Sequence, residues 1–270
     1  MISELELFSV DTVRERLGQL TAGIASHRAV NNRFYKRWMS GPLTIEGLKV
    51  FCRNYGSFII QFLNAMAEII LVTDDLEAKT EHVKTLFSEM GYGNPQKLHS
   101  VLFDNFFGEL ARKLGCEGCL DRSQLAATIE ELPSTRRFNE GERRLYGNKS
   151  PQIAVGAQLA QEWQAYTMLR QLYDGARNYL PLWSNVDEFH EACEYYYVHI
   201  GAAEKDHKDE SLRAAVKYAQ DEASLALVTQ GFNEHLDLYV DFWEGIYDEI
   251  VAVHPASALP DGAKSAAVSS

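Results

Sequence analysis

The sequence predicts an all-α protein that folds as a single helical bundle of about seven core helices. Apolar residues recur at intervals of three and four along nearly the whole chain, which is the spacing of helices that bury one face. Hydrophobic residues make up 46% of the 270 residues, enough for one large core. No segment shows a convincing strand pattern, and no change in composition marks a domain boundary.

Two helices are predicted in the first quarter of the chain. Residues 11–26 have an amphipathic pattern. A second helix should begin after Thr44, whose hydroxyl suits an N-cap, and run to about Leu71. Because this second segment is apolar around nearly its whole circumference, we expect it to be buried on most sides.

The next two predicted helices are separated by a turn. The first covers residues 76–90, and the run Gly-Tyr-Gly-Asn-Pro at 91–95 interrupts the pattern. Pro95 suits the first turn of the following helix, which should run to about Gly115.

The second half of the chain predicts one loop and three long helices. After a short helix at 122–131, residues 132–150 are expected to be the longest irregular connection, of the kind that often covers a site. Helices should follow at about 151–179, 185–217 and 220–253. The predicted domain therefore spans residues 1–254, and residues 255–270 predict a disordered tail.

The overall charge and the cysteine content exclude several functions. The formal net charge of −12 repels phosphate backbones and anionic lipid, which argues against nucleic acid and membrane partners. The chain lacks an apolar run of roughly 18 residues and a secretory signal, so we expect a cytoplasmic protein. Its four cysteines fit a reduced compartment. Cys116 and Cys119 form a lone CxxC, which we interpret as incidental because no second ligand pair follows.

Metal-ligand residues are concentrated between residues 195 and 210. His199, Glu204 and His207 lie within about two helical turns and can converge if the helix contains a small irregularity. Two imidazoles and a carboxylate are a typical ligand set for iron, manganese or zinc. Asp206 is the other carboxylate available to this set.

Three further candidates lie in apolar surroundings elsewhere in the chain, namely Glu89, His99 and Glu162. A carboxylate in such surroundings is unfavourable unless it is paired or binds a cation. A dinuclear metal centre inside a bundle needs about six side-chain ligands from several helices. The two groups of candidates together supply that number.

The order of these residues resembles that of the heme-oxygenase-like diiron oxidases. Leu-Phe-Ser-Glu-Met-Gly-Tyr-Gly-Asn-Pro-Gln-Lys-Leu-His, ending at His99, resembles the Glu-then-His segment of that family. Gly-Ala-x-x-Ala-x-Glu, ending at Glu162, resembles its next ligand helix. His199 followed by Glu204-x-x-His207 is similar to its closing segment, so the resemblance covers roughly residues 45–215.

The resemblance implies a heme-oxygenase-like bundle that binds two Fe(II) ions per chain, contains no heme, uses O2 as co-substrate and needs an external reductant. The ligands that it implies are Glu89, His99, Glu162, His199, Glu204 and His207. Relatives are commonly homodimers, so a homodimer is a further expectation.

Two positions depart from the family pattern. The family usually has its carboxylate four residues after the first His, where this chain has Ala203, and a single π-bulge would restore convergence with Glu204. Members that oxygenate nitrogen carry an additional Glu on the preceding helix. The stretch 61–67 has none, and Glu68 is the nearest, which argues against nitrogen oxygenation here.

The resemblance further implies an oxidase in specialised metabolism that acts on a small aliphatic amino acid. Abstraction of hydrogen from carbon would give desaturation, C–N ring closure of the azetidine type, or both. Such a substrate needs an anchor for its carboxylate, for which arginine is best suited. Arg170, with Tyr166 one turn before it, and Tyr196 are the predicted substrate-binding residues, and Arg53 is a second candidate anchor.

Other functions remain open at this point. The same fold supports nitrogen-oxygenating and carbon–carbon-fragmenting oxidases. It also supports metal-free thiaminase-like enzymes, which need a pocket cysteine, and Cys193 is the only cysteine near the candidate ligands. A heme-binding bundle with one proximal His and a binding protein without catalytic activity are the remaining alternatives.

Overall fold

The computed structural model describes residues 9–200 and 203–253, with side chains in the second range described from Lys208 onward. The predicted tail at 255–270 lies outside these residues. Within these residues the regular secondary structure is all helical, which confirms the all-α class. The helices are α1 (Val10–Ala22), α2 (Arg33–Met39), α3 (Ile45–Val72), α4 (Leu76–Glu89), α5 (His99–Lys113), α6 (Arg122–Thr128), α7 (Pro133–Tyr146), α8 (Pro151–Ala176), α9 (Val186–Ala192), α10 (Glu194–Ile200), α11 (Ala203–Tyr218) and α12 (Glu222–Val253).

Helix α3 is a central helix of the bundle and begins where the sequence predicts. The Thr44 hydroxyl accepts a hydrogen bond from the backbone N–H of Gly47 at 3.3 Å, which caps the first turn. By length and composition alone α3 could cross a membrane, and a core helix passes the same test. Here α3 packs against α7, α12 and α4, so its apolar side chains contribute to the core.

Aromatic side chains fill the space between α2, α3 and α12. The Phe34 ring stacks on Trp243 at 4.8 Å and on Phe51 at 5.3 Å, and Phe51 stacks on Tyr55 at 5.2 Å between ring centroids. Each of these rings is at most 1% exposed. Burying one such side chain stabilises the fold by about 1.5–3 kcal/mol, so this cluster fixes α3 firmly relative to its neighbours.

Helices α8 and α12 approach each other most closely at two glycines. A Cβ atom on Gly156 would lie 2.0 Å from the carbonyl oxygen of Val228, and one on Gly231 would lie 2.0 Å from that of Ile153. Only glycine lets the two backbones approach so closely. This contact positions the middle of α8 in the bundle.

The predicted loop at 132–150 is wrong, because most of it is helix α7. Pro133 occupies the first helical turn, where its missing N–H costs nothing. Asn54 of α3 fixes this end, since its Oδ1 accepts hydrogen bonds from the Leu132 backbone N–H at 2.9 Å and the Thr135 hydroxyl at 2.8 Å. The many charged residues of α7 obscured its periodic apolar face in the sequence.

Two other predicted elements are subdivided. The helix expected at 185–217 is divided at Cys193, where α9 ends before α10 begins, and residues 201–202 between α10 and α11 lie outside the described part of the chain. Pro95 opens a separate 3₁₀ turn, Pro95–Lys97, and the α-helix begins only at His99.

In addition, Cys116 and Cys119 are joined by a disulfide after α5, a pairing that the sequence interpretation did not include.

Candidate metal centre

A tight turn between α4 and α5 places Glu89 beside His99. Glu89 is the last residue of α4 and His99 is the first of α5. Between them Gly91, Tyr92 and Gly93 have φ values of 63°, 53° and 83°, which reverse the chain. A Cβ on Gly91 would lie 2.4 Å from the carbonyl carbon of Lys97, so this turn requires glycine.

Helix α10 supplies the third residue, His199. Lys97 Nζ, in the turn before α5, forms an ion pair of 2.6 Å with Glu194 Oε1 at the start of α10. His199 Nδ1 lies 2.7 Å from the backbone carbonyl oxygen of Tyr195 and donates a hydrogen bond to it, because a carbonyl can only accept. That bond orients the ring and leaves Nε2 as the atom that faces Glu89.

Glu89 stands between the two imidazoles. Its Oε2 lies 2.9 Å from His99 Nδ1, and its Oε1 lies 3.7 Å from His199 Nε2. The two histidine rings are 4.3 Å apart between centroids. The first contact has ion-pair length without hydrogen-bond alignment, since His99 Nδ1 has no partner of good geometry among the described residues. Ligand atoms of all three residues lie within 4.8 Å of one another.

Glu89, His99 and His199 form a triad whose electrostatics favour the charged form of Glu89. Burial alone would raise the pKa of Glu89, but the two imidazoles outweigh it and lower that pKa well below its usual value. Burial lowers the pKa of His99, and the charge of Glu89 outweighs that effect and raises it. A divalent cation bound here would take the place of the imidazole protons in stabilising the Glu89 carboxylate.

Glu162 is buried on α8 and is only 6% exposed. Gln158, one turn earlier, donates a hydrogen bond to its Oε1. A small cavity lies between Glu162, His82 on α4 and Ser211 on α11. Glu162 therefore faces the two helices that carry Glu89 and the predicted ligands of α11.

The remaining predicted ligands, Glu204 and His207, and the alternative Asp206 lie on α11 among the residues whose side chains are outside the described part of the chain. Helix α10 ends at Ile200 and α11 begins at Ala203. The π-bulge expected between His199 and Glu204 falls on a stretch that includes residues 201–202, which lie outside the described part of the chain, so it stays a prediction.

The predicted substrate-binding residues have different environments. Tyr196 is buried and 1% exposed. Tyr166 is half-buried, and its ring lies 4.8 Å from Lys208 Nζ on α11. Arg170 is exposed on α8. Arg53 donates a hydrogen bond of 2.9 Å to the Ile129 carbonyl, so it already has a structural partner.

The structure also reveals buried polar residues outside the predicted ligand set. The Tyr55 and Tyr195 hydroxyls are 2.9 Å apart, directly behind the histidine pair. Glu142 on α7 is fully buried. The Tyr239 hydroxyl donates to Gln161 Oε1 at 2.6 Å, and His235 Nε2 lies 3.3 Å from the same oxygen. A carboxylate such as Glu142 inside a charged helix gives no distinctive sequence signal.

The donor atoms of the triad fit iron. Two imidazole nitrogens and one carboxylate that leave open positions are the ligand set of many non-heme Fe(II) oxygenases. The fit depends on the donor types and on their closeness, because three ligand atoms within 4.8 Å can reach one ion.

The model of a family described as iron-containing redox enzymes matches residues 52–240. The chain belongs to this family of oxidoreductases. The match includes Glu89, His99, Glu162 and His199, and it confirms the resemblance inferred from their order.

A curated relative and several solved structures extend this finding. The chain is 26% identical over 237 residues to the 4-chloro-allylglycine synthase of Streptantibioticus cattleyicolor, which covers 87% of this chain and 83% of that protein. A CADD-like protein from Nostoc punctiforme superposes with a TM-score of 0.66 at 14% identity, over 90% of this chain and 97% of the other.

Two further structures are similar in fold. A TenA homologue from Pseudomonas syringae pv. tomato gives a TM-score of 0.67 at 12% identity and covers 90% of this chain and 96% of its own. A domain with a heme oxygenase-like fold from Shewanella denitrificans gives 0.62 at 11% identity, over 93% and 97% of the two chains. These likenesses confirm the heme-oxygenase-like bundle.

Proposed function

We propose that this protein is a non-heme, O2-dependent diiron oxidase that desaturates a small aliphatic amino acid. The observation that carries this proposal is the buried contact of Glu89 with His99 and His199, a donor set suited to Fe(II), in a chain of the iron-containing redox family. The relative whose name describes the synthesis of an allylglycine supports an amino-acid substrate and an alkene product.

The proposed ligands come from five helices, α4, α5, α8, α10 and α11. Glu89, His99 and His199 would hold one iron, and Glu162, Glu204 and His207 would complete a second position, with Asp206 as the alternative carboxylate. Gln158 holds the Glu162 carboxylate in place, and the Tyr195 carbonyl fixes the tautomer of His199. Iron bound to these residues would supply the activation of O2.

The chain's own residues orient the substrate and exclude water. Tyr196 and the buried rings around Tyr195 form an apolar wall next to His199. Burial by such side chains would keep water away from the metal position and so prevent side reactions. Arg170 remains our proposed anchor for the substrate carboxylate, with Tyr166 beside it. Because Arg170 is exposed, it would bind that carboxylate at the protein surface.

The electron balance requires an external reductant. Removal of two hydrogen atoms from the substrate yields two electrons and two protons, whereas reduction of O2 to water takes four of each. The missing pair must come from a donor outside the pocket. Ring closure to an azetidine removes the same two hydrogens, so it has the same balance and stays a second possible outcome.

Nitrogen oxygenation is less well supported than carbon desaturation. Glu68, the nearest candidate for the additional carboxylate of nitrogen-oxygenating members, accepts a hydrogen bond of 2.8 Å from Arg143. It lies at the surface between α3 and α7, with its side chain 35% exposed. A carboxylate engaged there is not available to an iron in the bundle.

Anaerobic titration with Fe(II), followed by exposure to O2 and a panel of aliphatic amino acids, tests the proposal. We expect close to two irons per chain and an alkene-containing product by mass spectrometry from one amino acid. His99→Gln should lose iron and product while keeping its helical circular dichroism, because it removes a ligand of the triad.

His190→Gln is the matched control, since His190 is exposed on the neighbouring helix α9. It should bind iron and turn over like the wild type. Full iron content and turnover in His99→Gln would show that the triad is not the metal centre. Glu162→Ala and His207→Ala should likewise abolish turnover without loss of helix, and unchanged activity in either would remove that residue from the ligand set.

A further inference from the structure

A continuous line of tyrosine rings runs from the triad to the protein surface. The Tyr195 ring lies 4.9 Å from that of His199, and the Tyr196 ring lies 5.3 Å from Tyr195. Tyr173 of α8 lies 5.9 Å from Tyr196, and Tyr197 lies 5.4 Å from Tyr173, all measured between ring centroids. These are distances of direct ring packing, so no gap interrupts the line.

The line has one buried end and one exposed end. Tyr195 is 3% exposed and Tyr196 is 1% exposed, whereas Tyr197 is 36% exposed. At the inner end, the Tyr195 hydroxyl lies 2.9 Å from that of Tyr55, and at the outer end the Tyr173 and Tyr197 hydroxyls lie 2.9 Å apart. At each end, therefore, one hydroxyl can donate a hydrogen bond to the other.

A second line of rings leaves Tyr195 but stays inside the protein. Tyr55 leads to Trp243 at 5.6 Å and from there to Tyr35 at 4.9 Å. Tyr35, Tyr55 and Trp243 are each at most 1% exposed. The line through Tyr196 and Tyr173 thus connects the metal centre with solvent, and the line through Tyr55 does not.

We propose that Tyr195, Tyr196, Tyr173 and Tyr197 form a relay that carries oxidising equivalents from the metal centre to the surface when no amino acid is bound. The proposal rests on the proposed O2 chemistry. A phenol gives up an electron only to a strong oxidant, so mild redox partners do not use this route. The relay acts when an O2-derived oxidant forms with no substrate to consume it.

Each passage along the relay moves one electron inward. The O2-derived oxidant gains one electron and one proton at the pocket, and Tyr197 loses one electron and one proton and becomes a neutral tyrosyl radical. The released proton passes to water at the exposed end of the relay. A thiol or ascorbate in solution restores Tyr197 by giving back one hydrogen atom. The ligands Glu89, His99 and His199 are thereby spared from oxidation.

The test is to trap the radical in protein loaded with Fe(II) and exposed to O2 without amino acid. A nitroso spin trap is added, and the modified residues are located by peptide mass spectrometry. We expect the adduct at Tyr197. Tyr173→Phe should lose that adduct, because phenylalanine is far harder to oxidise, while Tyr247→Phe on α12 should keep it.

Tyr92 distinguishes a relay from a freely diffusing oxidant. It is 65% exposed, more than Tyr197, so an oxidant in solution would label Tyr92 first. Preferential labelling of Tyr92, or survival of the Tyr197 adduct in Tyr173→Phe, would overturn the relay.

Iron content and O2 uptake are measured in the same samples, and a parallel sample receives hydrogen peroxide instead of O2. Failure to bind iron would overturn both the proposed function and the relay. Uptake of O2 or peroxide without an adduct at Tyr197 would overturn the relay alone.

Discussion

Glu142 shows how strongly a single buried residue can influence this protein. It is fully buried on α7, and neither of its carboxyl oxygens has a hydrogen-bond partner among the described residues. Burial raises the pKa of Glu142 well above its usual value, and no cation among the described residues opposes that effect. Its polar neighbours are the phenols Tyr146 and Tyr239, which cannot neutralise a carboxylate.

We therefore predict that Glu142→Gln stabilises the protein, and increasingly so as the pH rises. The folded pKa lies above the unfolded one, so between them the unfolded state binds fewer protons and wild-type stability falls with rising pH. Glutamine resembles the protonated acid and does not titrate. The gain should be near zero at about pH 4 and reach roughly 1–3 kcal/mol near pH 8.

Urea denaturation of both proteins across this pH range measures the effect. Glu140→Gln on the same helix is the control, because Glu140 is exposed and its replacement should leave stability nearly unchanged at every pH. A gain in Glu142→Gln that was as large at pH 4 as at pH 8 would contradict the assigned cause.

At the scale of elements, the turn between α4 and α5 determines whether Glu89 and His99 meet. We predict that Gly91→Ala weakens iron binding and lowers the melting temperature. A left-handed backbone costs a non-glycine residue about 1–2 kcal/mol, and the added Cβ would also collide with Lys97. The loss corresponds to at least about 2–4 °C in Tm for a chain of this size.

Gly108→Ala in α5 is the matched control for the turn. A Cβ there meets nothing within 4 Å, and Gly108 lies inside the helix that begins at His99. This change should raise stability by about 0.4–1 kcal/mol and leave iron affinity unaltered. Equal iron affinity in the Gly91→Ala and Gly108→Ala variants would show that the turn does not position the ligands.

Some elements could be predicted from the sequence because their signals are local. Thr44 and the Gly-Tyr-Gly-Asn-Pro run mark a helix start and a turn by their own chemistry, and the structure confirms both. Helix α7 could not be recognised because it is stabilised by tertiary contacts, including those of Asn54 at its N-terminal end. Tertiary packing overrides the weak preference of a charged, glycine-containing segment.

The residues of the candidate site likewise divide into those that the sequence could predict and those that depend on tertiary structure. Glu89, His99 and His199 could be proposed from order and spacing, and the structure brings them together. The connection from His199 to Glu204 passes through residues 201–202, which the structure does not describe, so the expected π-bulge stays a prediction. The tyrosine line depends on α8 crossing α10, a long-range contact that no local pattern reports.

For the molecule as a whole, the approach of α8 to α12 holds the ligand helix α8 in the bundle. The two helices meet backbone to backbone at Gly156 and Gly231, and both lie in the centre of the fold. A side chain at either position has no space into which to move, because the obstacle is a carbonyl oxygen of the opposite helix. Separating the helices would disturb the whole core and displace Glu162.

We predict that Gly231→Ala lowers the free energy of unfolding by at least about 1–3 kcal/mol, which is the usual cost of overpacking a core. This corresponds to a fall in Tm of roughly 2 °C or more, measured by circular dichroism. Gly18→Ala in α1 should be neutral or stabilising, because a Cβ there meets nothing within 4 Å. Because α8 carries Glu162, the Gly231→Ala variant should also lose iron from the second position before the first. Wild-type stability in this variant would mean that α8 and α12 do not approach as closely as the structure shows.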